Sequence, residues 1–181
     1  MKKTETCDKL VQAFFTLYSE KSIDKISIKA VTELAGYHRS TFYEYFVDIY
    51  DLLEQEEEEI LRLQKELFMT PIFTGKIDAF AATLLFEPSV QMFKLKGDKL
   101  AILIGTNGDP AFRRKLQERI KETLQCLMAR SEDVLVAEYL SEFLSAGILA
   151  VVHKAWMDQA VSVESLAAGL QPIIFSLLRE A

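Results

Sequence analysis

Over the first third of the chain, apolar residues recur every three or four positions in blocks separated by short polar gaps. Leu10, Ala13, Phe14 and Leu17 form an i, i+3, i+4, i+7 stripe, which predicts a helix over roughly 3–19. Ser27 can cap a second helix through its hydroxyl, with Ile26 and Val31 at the two positions of a hydrophobic staple. Ile28, Val31, Leu34 and Ala35 then repeat at helical spacing, and Lys29 and Glu33 fall toward the other side. Gly36 follows, where a left-handed residue ends many helices. From about His38 a third helix sets Phe42 and Phe46 four apart on an inner face and leaves Arg39, Ser40 and Tyr43 projecting outward. Two short helices joined by a tight turn therefore occupy Ser27 to Phe46.

The pattern beyond them is also helical. Asp48 can cap a fourth helix that continues through Leu52, Leu53, Ile60, Leu63 and Leu67 to about Phe68. Thr70, Pro71 and Gly75 mark a loop, and Pro88 and Gly97 divide the next segment into shorter helices. Asp109 and Pro110 suit a cap and first helical residue, and Phe112, Leu116, Ile120, Leu124 and Leu127 give the helix after them one apolar stripe. Between Tyr139 and Trp156 the chain is apolar almost all round, so that helix needs cover from more than one layer. The last helix opens at Ser162 and contains Pro172, which predicts a kink. No alternating strand pattern stands out, and the expectation is an all-α chain of about nine helices. It divides into 1–47 and 48–181, connected by the helix over about 48–68.

The outward groups on the third helix suit nucleic acid. Arg39 could bond O6 and N7 of a guanine in the major groove, or hold a phosphate. Ser40, Thr41, Tyr43 and Tyr45 carry hydroxyls fit for phosphate oxygens, and Ser27 and Lys29 stand at the start of the preceding helix. Periodicity alone also permits a plain helical hairpin with a solvated face. The net charge of −6 argues against DNA only at first sight, because residues 1–47 carry +1 and residues 48–181 carry −7.

The stretch from Ala13 to Leu53 resembles the DNA-binding domain of the tetracycline-repressor (TetR) family of bacterial regulators. FTLYSEK from Phe15 is similar to the end of that family's first helix and ISIKA from Ile26 to the start of its second. Ala35-Gly36 matches its turn, STFYEYF from Ser40 its most recognisable string, and YDLL from Tyr50 its fourth helix. The chain departs from the family at Tyr37, usually a small aliphatic residue, and at His38, often serine. Both belong to the DNA-facing end of the recognition helix, and they imply a different operator sequence. Val47, Asp48 and Ile49 stand where lysines are common, so one phosphate anchor is missing. The run FVDIYDLLEQ is more similar to a subgroup from low-GC Gram-positive bacteria.

The resemblance implies a transcriptional regulator, most simply a repressor released by a small-molecule effector, that acts as a homodimer on a palindromic double-stranded operator. It implies that the last two long helices form a four-helix dimer interface, for which Phe143, Gly147, Ile148, Val151, Leu170, Ile174 and Leu177 are the candidate residues. An ordinary intramolecular core is the alternative. Phe68, Phe86, Phe93, Tyr139, His153 and Trp156 could line an effector cavity, or could simply be core. The rival functional class is a TetR-like protein-interaction or co-activator module without DNA binding, and a helical enzyme ranks third. Two dispersed histidines and two dispersed cysteines lack metal-site spacing, and no phosphate loop or nucleophile elbow is present. No catalytic residue, metal or cofactor is expected. The absence of a secretion signal and of an apolar run near 20 residues predicts a cytoplasmic protein with no membrane partner.

Overall fold

The computed structural model describes residues 5–69, 81–128, 134–158 and 162–180. Among them the chain is helical, with α1 (Glu5–Glu20), α2 (Ile28–Ala35), α3 (Arg39–Tyr43), α4 (Ile49–Gln64), α5 (Ala81–Leu103), α6 (Pro110–Leu127), α7 (Val134–Asp158) and α8 (Val163–Glu180). A 3-10 turn over Ile23–Lys25 joins α1 to α2, and α4 widens into a π turn over Lys65–Met69.

Local chemistry accounts for the ends of these helices. The Ser27 hydroxyl accepts from the Ala30 amide at 3.2 Å, and Gly36 closes α2 at φ +76°, a conformation that strains any residue with a Cβ. Asp48 accepts from the amides of Tyr50 and Asp51 at 2.8 and 2.9 Å, and Asp51 reaches back to the Val47 amide at 2.7 Å. Asp109 accepts from Ala111 at 2.7 Å, with Pro110 opening α6. At Gly108 a Cβ would stand 1.9 Å from the Leu103 carbonyl oxygen, so the turn between α5 and α6 needs glycine.

The segment containing Pro88 and Gly97 is one helix, not two. Pro88 lies inside α5 and is buried, and α5 packs on α1, α4, α6, α7 and α8. Neighbours on so many sides stabilise a helix across a proline that an isolated helix would break at. This leaves eight α-helices among the described residues. The loop expected around Thr70, Pro71 and Gly75 lies outside them.

Two apolar clusters form the interior. The first joins Leu10, Phe14 and Tyr18 of α1, Val31 of α2, Phe42 of α3 and Leu52 and Ile60 of α4 to Leu103, Phe112 and Leu116, so it runs without interruption from the first helix into α5 and α6. Within it Phe14 meets Phe15 edge to face at 5.2 Å and Phe42 lies 5.3 Å from Phe46. The second cluster centres on Leu124, Met128 and Leu144, where α6 packs along α7.

Candidate nucleic-acid interface

The turn at Gly36 and the burial of Phe42 together determine what α3 can present. Phe42 is fully buried and fixes the rotation of the five-residue helix. His38, the extended residue before it, and Arg39, Ser40 and Tyr43 are exposed as a consequence. Tyr43 is 59% exposed while its ring edge packs on Phe42 at 5.9 Å. Thr41 is half-buried, with its amide bonded to the His38 carbonyl. Ser27 and Lys29 are exposed at the start of α2, where Lys29 pairs with Glu33 at 3.6 Å. Both ends of that pair are solvated, so it contributes little and competes weakly with a phosphate.

Two of the expected contact residues are only partly exposed. Tyr37 and Tyr45 are half-buried and pack against the first core cluster, because the turn directs Tyr37 toward α1, near Lys9, and Tyr45 stacks beside Phe46 at 6.3 Å. Leu34, expected on the inner stripe of α2, is 53% exposed, and Thr32 is buried instead, its hydroxyl donating to the Ile28 carbonyl at 2.9 Å. The eight residues of α2 leave room for one buried face, and Val31 with Thr32 fills it. Val47 and Tyr50 are 77% and 59% exposed at the start of α4. Tyr50 puts a hydroxyl close to the position of the missing lysines. Its presence in the YDLL string was visible in the sequence, but its outward direction follows only from the Asp48 cap.

Helix α4 connects this surface to the rest of the molecule. Lys99 of α5 donates to buried Glu56 at 2.6 Å and lies 5.3 Å from the centre of the Phe15 ring on α1. Lys96 donates to Glu59 at 2.7 Å. Two partly buried charge pairs thus tie α5 to α4. The run Glu56 to Glu59 is thus a packed face, not only a solvated one. Glu57 is also buried. Burial first, then the nearby Asp109 charge and Glu54, against the opposing Lys115, push its carboxyl up to about 7. Tyr18 is raised to about 12 by burial, then by Glu57 and Asp109.

The candidate effector residues with described side chains lie in different surroundings. Phe68 and Phe93 are half-buried against the first cluster. His153 lies beside the α5–α6 turn, its Nε2 3.5 Å from where a Cβ on Gly105 would stand. Tyr139 is 70% exposed and faces outward, so it is not a cavity residue of the single chain. The side chains of Phe86 and Trp156 lie outside the described residues. A groove of about 640 Å³ runs between α1 and α5, lined by Phe93 with Asp8, Gln12, Lys96 and Lys99 among others.

The candidate dimer residues divide between two faces. Ile148, Ile174 and Leu177 are partly buried and pack against the second cluster inside the chain. Val151 and Leu170 are half-buried. Phe143, 68% exposed, and Gly147, which has nothing within 4 Å of a built Cβ, lie on the outward face of α7 with Val136, Tyr139 and Met157. On α8, Ile173 is 57% exposed. Helix α7 is also longer than the stretch expected: Val134–Ala155 is long and apolar enough by length and composition to cross a membrane, and 28% of its apolar 18-residue window is buried. Its other side carries Glu142, which pairs with Lys121 of α6 at 2.8 Å, and buried Ser141 and Ser145.

No family profile and no curated protein matches the chain. Solved structures do. The fatty acid degradation regulator FadR from Bacillus halodurans aligns with a TM-score of 0.66 at 20% identity, over 98% of this chain and 96% of its own. A TetR transcriptional regulator from Streptococcus agalactiae aligns at 0.60 and 23%, over 94% and 93%. The dihydroxyacetone kinase operon activator DhaS aligns at 0.62 and 16%, over 97% of each chain. SmeT, solved as a complex with triclosan, aligns at 0.66 and 16%, over 93% and 90%. The fold of this chain is that of TetR-family transcriptional regulators.

Proposed function

We propose that the chain is a TetR-family, sequence-specific DNA-binding regulator: a soluble, cytoplasmic homodimer that represses transcription until a small molecule releases it. The observation that carries this reading is the pairing of a buried Phe42 with an exposed Arg39, Ser40 and Tyr43 on one short helix after the Gly36 turn. A helix anchored on one side and furnished with a guanidinium and hydroxyls on the other is what entry into a major groove requires. Arg39 reads base edges or holds a phosphate, and Tyr43, Ser40 and Tyr50 position the backbone.

The second copy supplies the other half-site. The outward face of α7, with Tyr139, Phe143 and Gly147, and the adjoining Ile173 of α8 supply an apolar surface of the kind that marks an association site. Two recognition helices about 34–36 Å apart then meet successive major grooves of a palindrome. A bilayer is a poorer match for α7, since α6, which packs along it, is strongly charged. Effector binding among α4 to α8 acts on DNA by moving α5, whose Lys96 and Lys99 hold Glu59 and Glu56 of α4. The effector must favour one arrangement to do so. SmeT, crystallised with triclosan, supports a small-molecule ligand for this fold.

Selection from a random duplex library with the purified protein tests the reading. A recovered inverted repeat, bound by a dimer with affinity that falls steeply as salt rises, is the expected result. Indifference to every duplex would transfer the function to the second reading, a protein-interaction or co-activator module. The exposed Val47, where a cationic anchor is common, favours that alternative.

A further inference from the structure

Glu57 is a buried residue of α4, which shares the first cluster with α1 and α6, and groups on those two helices bear on it electrostatically. From α1 comes Tyr18, fully buried. From α4 come Glu57 itself, 6% exposed, and Glu54, one turn earlier. From the start of α6 come Asp109, whose carboxylate caps that helix, and Lys115. The Oε1 atom of Glu57 is buried and has no hydrogen-bond partner. Lys115 is the one cation in this set, and it is exposed. With one oxygen buried and unbonded, this carboxylate is costly when charged. It is cheap when it carries a proton.

We propose that Glu57 is a proton-operated latch between the DNA-binding helices and the C-terminal helices: protonated, it lets α1, α4 and α6 close on one another, and ionised, it loosens the junction. The arrangement described above is the closed, protonated one. Ionisation favours any displacement of α4 from α6 that admits water to Oε1 or brings Lys115 onto it. Burial and the Asp109 charge place the titration near neutrality, at about pH 7. Because α1 and α4 also support α2 and α3, operator affinity falls as the latch opens. This last step rests on the DNA-binding reading; the latch itself does not.

The test therefore has two arms. In the first, without DNA, hydrogen exchange of α4 and α6 is compared between wild type and Glu57→Gln at pH 6.0 and 8.5, each against an unstructured reference peptide. Wild type should lose protection relative to the variant by about fivefold or more between pH 6.0 and pH 8.5. Asp109→Asn, which keeps a capping oxygen, should move the midpoint to lower pH, and Lys115→Met should move it higher. Opposite displacements by two surface-side changes are not the signature of a merely structural glutamate. Parallel profiles for wild type and Glu57→Gln, or no displacement by either neighbour, overturn the latch. In the second arm, affinity for the selected inverted repeat should fall severalfold between the same pH values in wild type and stay level in Glu57→Gln after their common pH dependence is subtracted. If the first arm succeeds and no duplex is bound at any pH, the DNA-binding reading fails and the latch stands.

Discussion

The two ends of the molecule solve the problem of apolar surface in opposite ways. In α1 to α4 the large apolar side chains Leu10, Phe14, Tyr18, Val31, Phe42 and Leu52 are all at 1% exposure or less, and the exterior is polar apart from Leu34, Tyr43, Val47 and Tyr50. In α7 the helix is apolar nearly all round, and after α6 and α8 have taken their share Tyr139, Phe143 and Met157 remain at 67–70% exposure. A unit that closes its own core is free to use its outer face for recognition. A helix left half covered requires another surface, and in the proposed reading a second copy supplies it.

The sharpest way to break this contrast is at Phe143. Replacing it with aspartate puts two unpaired charges into the proposed interface, one from each copy, and should cost association about 4–8 kcal/mol. Sedimentation velocity at micromolar concentration should then show a folded monomer; an unchanged dimer would move the interface elsewhere. The corresponding lesion at the other end, Phe42→Ala, should leave association aside and cost about 3–5 kcal/mol of stability by opening a cavity in a closed core, as read by denaturant unfolding.

Glu57, where the two ends join, gives a smaller and pH-dependent effect. Its folded carboxyl titrates at about 7 against 4.5 for the free group, so between those values the native state binds more protons than the unfolded one. The stability it supports is fully present below pH 4.5, falls as pH rises toward 7 and stays low above. Glu57→Gln should therefore stabilise the protein by roughly 2–3 kcal/mol at pH 8 and by almost nothing at pH 4. A constant difference across that range would contradict the assignment.

Arg39→Ala should leave the melting temperature in place and lose about 1–3 kcal/mol of operator affinity. If the loss is confined to duplexes with the selected base at one position, Arg39 reads that base; if it is uniform and lowers the salt slope, Arg39 holds a phosphate. The mildest change, Lys96→Met, removes one partly exposed pair with Glu59 and should alter stability by less than about 1 kcal/mol. It should nonetheless weaken the coupling between effector and DNA, a shift visible as a reduced ratio of operator affinities with and without effector.

Helix ends were the most legible part of this protein. Ser27, Gly36, Asp48, Asp109 and Pro110 act within a few residues of themselves, and each does what its neighbours in the chain imply. The exposure of Arg39, Ser40 and Tyr43 was readable for a related reason, since Phe42 and Phe46 fix the rotation of so short a helix. Leu34 was misplaced because helix period leaves the borders of a face undecided, and those borders depend on where α1 and the core lie. Pro88 was read as a break because the sequence does not show how many helices press on α5.

The chain by itself thus determined an all-helical fold with a helix-turn-helix near its start, through periodicity, caps and one left-handed glycine, all of which are local. Tertiary packing alone decided that Glu56 and Glu57 are buried, that Lys96 and Lys99 tie α5 to α4, and that Phe143 and Tyr139 face outward while Ile148 and Ile174 face in. Those outcomes depend on which helix lies against which, and residues forty positions apart carry no record of their contact in spacing alone.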